Sequence, residues 1–196
     1  MSSNQIIFAG VDISSGRKPV MFAALDGDLN ILMLEKWNIS ETIKYLKEYQ
    51  LALLAVNSSA KKLEVNSDFK EEIAQAGFNS FAHKSSAYQW IETEAQDCFR
   101  DLVGQTLLSR RTLEGRIQRA LILYDEGLQI DDPMDLFEEI TRHKLLQGIL
   151  PLENIYSSRE LDALVTAYLA WMAANRIGQI EMLKDNMVKP KVQADQ

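Results

Sequence analysis

The 196-residue chain has one cysteine, two histidines and four prolines. A lone thiol, Cys98, excludes an internal disulfide framework and fits a reducing, cytoplasmic setting. It falls in EAQDCFRDL, a helical pattern with no histidine beside it, so a buried structural thiol is expected there and not a nucleophile. His83 and His143 lie far apart among lysines and polar residues and read as surface side chains, not as bases or ligands. No stretch approaches the roughly 20 apolar residues of a membrane span, so no membrane partner is expected. The first residues lack a basic region followed by a long apolar one, and no signal peptide is expected. Positive charge is also short: 21 Lys and Arg face 28 Asp and Glu, a net charge of −7. That balance argues against passive coating of a phosphate backbone, which needs many cations to displace counterions. It leaves room for a local basic groove or an acidic pocket that holds metal.

What is present is ordinary for a globular protein: 46% hydrophobic and 25% charged residues. The length suits one domain, taken as residues 1–190, with a loose tail at 191–196. Residues 6–11, 20–25 and 29–35 read as a three-strand antiparallel meander, its second turn marked by Asp-Gly in LDGD. Ser40 is the expected N-cap of a helix over 41–49. LALLAV (51–56) has no polar alternation, the pattern of a central strand covered on both faces and paired in parallel. A helix over 68–76 ends at Gly77, and YQWIETE (88–94) reads as another strand. Helices follow over 95–103 and 113–126, and one from Asp132-Pro133 to Gln147. The last helix opens with a capping box, Ser157 with Glu160, and closes at Gly178. The fold class is therefore α/β, a mixed central sheet with flanking helices.

The first strand stops on an acid, Asp12. If LALLAV lies parallel to it, Asn57 stands at the equivalent end of the neighbouring strand, at the edge where open α/β sheets bind ligands. Glu92 lies in the third candidate strand, and Asp162 shares a side with Val165 and Leu169 at the buried margin of the last helix. Two carboxylates about 4 Å apart repel by around 4 kcal/mol at an effective dielectric of 20. A cation between them, or an added proton, relieves this. Mg²⁺ or Mn²⁺ is the natural candidate, since hard oxygen ligands suit both, and paired ions of this kind cleave phosphodiesters.

GVDISSG, WIETEAQDCFRDLVG, SRRTLEGRIQRALIL and SSRELDALVTAYLAWMAANRIGQIEML, in this order, resemble the predicted RNase H-like nucleases grouped as domain of unknown function 429. The resemblance covers most of the chain through short motifs. It implies an RNase H-like fold with acids around a divalent metal. Carried over residue by residue, it gives catalytic roles to Asp12, Glu92 and Asp162, and a metal set of Asp12, Asn57, Glu92 and Asp162. Two departures stand out. The second-strand acid is Asn57 here, within NSSA, and Glu94-Ala95 occupy the place of an aromatic or His and a Pro. Asparagine offers a carbonyl oxygen but no charge, and the second ion should suffer most.

Arg110, Arg111, Arg116 and Arg119 form the densest basic patch. Arg116 and Arg119, three apart on one helical face, are candidates for gripping a nucleic-acid phosphate, against the plainer reading of a solvated face paired with Glu114. Trp37, Trp90 and Trp171 read as packing residues. Two function classes follow: a metal-dependent nuclease or resolvase acting on nucleic acid, and a catalytically degenerate RNase H-like module that binds nucleic acid or a protein partner. A homodimer is compatible with either. An actin-like ATPase half is a third reading, set back by the absence of a second Asp-x-Gly phosphate loop.

Overall fold

A computed structural model describes residues 3–13, 19–58, 63–81, 86–139, 142–149, 155–183 and 186–192. Six strands form one mixed sheet: β1 (Ser3–Asp12), β2 (Val20–Leu25), β3 (Ile31–Trp37), β4 (Tyr49–Asn57), β5 (Asn79–Ser80) and β6 (Tyr88–Thr93). Their order is β3-β2-β1-β4-β6-β5. The meander β1–β2–β3 is antiparallel, whereas β4 pairs in parallel with β1 and β6, and β6 with β5. Residues 52–56 are all buried, as expected for a run without polar alternation in a strand covered on both faces.

Alternation along β1 and β4 divides the core into two layers. Phe8, Leu53, Ala55 and Ile91 pack with α7 (Ser158–Asn175), α3 (Ala95–Val103) and α4 (Leu113–Asp125). Ile7, Val11, Leu54 and Val56 pack on the other side with α1 (Ile39–Leu46) and α2 (Leu63–Gln75). Helix α7 lies against the sheet so closely that only glycine fits beneath it. A Cβ on Gly10 would stand 2.3 Å from both the Ala163 carbonyl oxygen and the Ala167 nitrogen.

Several boundaries differ from expectation. Asn38, not Ser40, caps α1, because Asn38 and Glu41 satisfy each other's backbone N–H in a capping box. The stretch expected as one helix from Asp132 forms two short helices, α5 (Asp135–Glu139) and α6 (Arg142–Leu146). Helix α7 has the expected Ser157–Glu160 capping box but ends at Asn175, and Gly178 belongs to a 3-10 turn leading to the hairpin β7 (Ile180–Met182) and β8 (Val188–Pro190). That hairpin has no counterpart in the sequence reading, since three-residue strands carry too little periodicity. His83 and residues 193–196 of the tail lie outside the described residues, as does the side chain of His143. Among the described residues no helix is long and apolar enough to cross a membrane.

Candidate functional site

Parallel pairing of β1 and β4 puts Asp12 directly beside Asn57, as the register expected. Both are buried. The Asn57 carbonyl oxygen accepts from the Ala95 N–H at 2.9 Å, which turns its NH₂ towards Asp12, where it donates to Oδ1 at 2.8 Å. Asp162, on α7, faces the same side of the sheet, 1% exposed. Its Oδ1 accepts from Gln96 Nε2 at 2.8 Å and its Oδ2 from Arg110 at 2.6 Å. A second guanidinium, that of Arg159, lies 3.6 Å from Asp12 Oδ2, an ion pair beyond hydrogen-bond length. Burial and the neighbouring Asp12 charge push the Asp162 carboxyl up to about 7, with Arg110, Arg119 and Gln96 acting against them.

Glu92 does not join this group. It sits level with Val56, and alternation along β6 sends Ile91 into the α7 layer and Glu92 to the opposite face. There Glu92 pairs with Lys70 of α2 at 2.7 Å and accepts from the Ser58 hydroxyl. The expected cluster of three acids is thus split by the sheet, two on one face and one on the other.

The basic residues divide as sharply. Arg119 was expected at a phosphate, yet it is 2% exposed. Its guanidinium donates to the Gly115 carbonyl at 2.7 Å, the Leu108 carbonyl at 3.0 Å and Gln96 Oε1 at 2.7 Å, and lies over the Phe99 ring. It braces the loop before α4 from inside. Arg116 is half-buried and Arg111 exposed. The tryptophans pack as expected: Trp37 stacks on Phe22 at 4.9 Å, and Trp171 stacks on Tyr168 and donates to the Gly27 carbonyl. Cys98 is fully buried against Thr93, and burial pushes its thiol up to about 12, the opposite of an activated nucleophile.

No family model matches the chain, and no curated protein matches it.

A divalent ion implied by the RNase H-like resemblance does not fit these side chains. Asn57 presents its amide protons, not its oxygen, to Asp12, and each acid already faces a cationic side chain. Among the described residues no group of three or more His, Cys, Asp or Glu is arranged to hold a metal ion. The sequence reading missed the partners that neutralise the acids. In the sequence Arg110 is only part of a basic patch, while Arg159, Gln96, Ser58 and Lys70 carry no local signal, because each meets its acid from a different element.

Proposed function

We propose that this chain is an RNase H-like module without hydrolytic activity, whose role is to bind a protein partner. The strand order supports the fold assignment: an antiparallel meander, parallel strands added beside its first member, and a closing helix across that strand. The observation that carries the functional reading is the placement of Glu92 on the face away from Asp12 and Asp162, with Asn57 where the resemblance expects an acid. Two-metal phosphodiester cleavage needs ions about 4 Å apart clamped between shared acids, and the two acids that do meet are neutralised by arginines.

A protein partner is favoured over nucleic acid on charge. The net charge is −7, Arg119 is turned inward, and Arg110 and Arg159 are engaged with the acids. The segment around α5 and α6, by contrast, exposes Met134, Phe137, Leu145, Leu146 and Ile149, a composition suited to a protein surface.

The test is a cleavage assay with Mn²⁺ or Mg²⁺ on single-stranded, duplex and branched DNA and RNA, alongside fluorescence anisotropy on the same substrates. Wild type should cut no faster than Asp12→Asn and should bind none of them with a measurable salt slope. Cleavage that Asp12→Asn abolishes would restore the nuclease, and salt-dependent binding without cleavage would make nucleic acid the partner.

A further inference from the structure

We propose that Arg110 is the built-in counter-cation of the acid pair, holding Asp162 beside Asp12 in the place a metal ion would take, and that its side chain keeps the pair closed to divalent ions. The inference rests on the RNase H-like, non-hydrolytic reading above and adds the residue responsible for it.

Among the described residues, the geometry separates Arg110 from the other two guanidinium groups near the acids. Arg119 is buried and is linked to Asp162 by hydrogen bonds through Gln96, which accepts from Arg119 at 2.7 Å and donates to Asp162 at 2.8 Å. Arg159 touches Asp12 at 3.6 Å while donating to the Pro19 carbonyl at 3.1 Å, so it also anchors the chain entering β2. Arg110 alone makes a short charged contact, 2.6 Å to Asp162 Oδ2, and its side chain is 45% exposed, so it enters from solvent. Its backbone is clipped as well: the Ser158 hydroxyl donates to the Arg110 carbonyl at 2.5 Å, at the start of α7. The loop before α4 is thus pinned to α7 at two points, four residues apart on the helix.

Charge explains the exclusion. Among the described residues, two carboxylates meeting two guanidinium groups leave no net negative charge, and a dication entering there must displace Arg110 and give up part of its own tightly held water shell. The Asn57 amide, with its protons towards Asp12, repels an approaching cation in the same direction. Removing Arg110 uncovers Asp162, and replacing Asn57 by Asp supplies the missing charge.

Thermal unfolding of wild type, Arg110→Ala, Asn57→Asp and the double variant, with MnCl₂ or EDTA, tests this. Wild type should not respond to millimolar MnCl₂. The double variant should rise by roughly 5 °C or more at Mn²⁺ about a hundredfold above its Kd. A folded double variant, checked by circular dichroism, that ignores Mn²⁺ overturns the role of Arg110 and leaves the non-hydrolytic reading standing. A Mn²⁺ response in wild type overturns both. Because the double variant places two uncompensated acids together, Arg110→Ala alone provides a second measurement. About 10 mM guanidinium chloride, far below denaturing levels, should recover part of its lost Tm where equal NaCl does not, since the free ion refills the cation's position. Equal effects of the two salts count against the proposal.

Discussion

Asp12 and Glu92 flank the same strand, β4, and point to opposite faces of it. Asp12 meets Asn57 and Arg159 on the α7 side, and Glu92 meets Ser58 and Lys70 on the α2 side. The partners described for the two acids are different residues. The stability effects of Asp12→Asn and Glu92→Gln should therefore add within about 0.5 kcal/mol in a double-mutant cycle. Asp12→Asn with Asp162→Asn, by contrast, should couple by about 1 kcal/mol or more, because each charge raises the cost of the other. Urea unfolding of the two cycles decides the point, and strong coupling between positions 12 and 92 would contradict the split of the acids by the sheet.

Asp162 gives the protein a definite pH signature. Its folded-state carboxyl titrates near 7, above the usual aspartate value, because burial and Asp12 disfavour its charge. The folded state therefore holds a proton more tightly than the unfolded chain does. Stability from this group is fully present below about pH 4 and is lost as pH rises towards 7. Asp162→Asn carries no such proton. The Tm of Asp162→Asn minus that of wild type should increase from pH 4 to pH 7 and level off above it. A flat difference over that range would remove the coupling between burial and charge at this site.

Gly10 is the point at which sheet and helix touch. A methyl group there would fall within 2.3 Å of backbone atoms on both sides of a turn of α7, and backbone cannot step aside as a side chain can. Gly10→Ala should cost about 3 kcal/mol or more by forcing α7 off β1, at or above the top of the usual range for core overpacking. Because Asp162 rides on α7, the same change should also shift the titration that Asp162 contributes. Gly27→Ala, where nothing stands within 4 Å of the added carbon, is the control and should have little effect.

Much of this arrangement was legible in the sequence. The uninterrupted LALLAV run announces a doubly covered strand, and parallel pairing with IIFAGV puts Asn57 beside Asp12. The Ser157–Glu160 box fixed the start of α7, and with it the depth of Asp162. The face of Glu92 was not legible. Side chains alternate every residue along a strand, so a shift of one position between β4 and β6 reverses the side on which an acid emerges, and no local pattern in YQWIETE sets that register. The cations were hidden for a related reason. Arg110, Arg159 and Lys70 come from a loop and two helices, and only the packing of those elements on the sheet brings them to their acids.

Arg116 and Arg119 look alike in sequence and should behave oppositely on substitution. Arg119 holds the Gly115 and Leu108 carbonyls and Gln96, and burial pulls its guanidinium below the ordinary arginine value while Asp162 acts against that shift. Arg119→Met keeps the apolar stem on Phe99 but leaves two carbonyls without their charged donor. Each such loss costs about 1–3 kcal/mol, so the total should be about 3 kcal/mol. Gln96 then loses its anchor and Asp162 one of its donors, so the carboxyl should titrate higher still. Arg116→Ala, half-buried on the same helix with no contact of this kind among the described residues, should change stability by no more than about 0.5 kcal/mol. Urea midpoints of the two variants separate the roles. If Arg116→Ala proves as costly as Arg119→Met, the bracing of the loop does not run through Arg119.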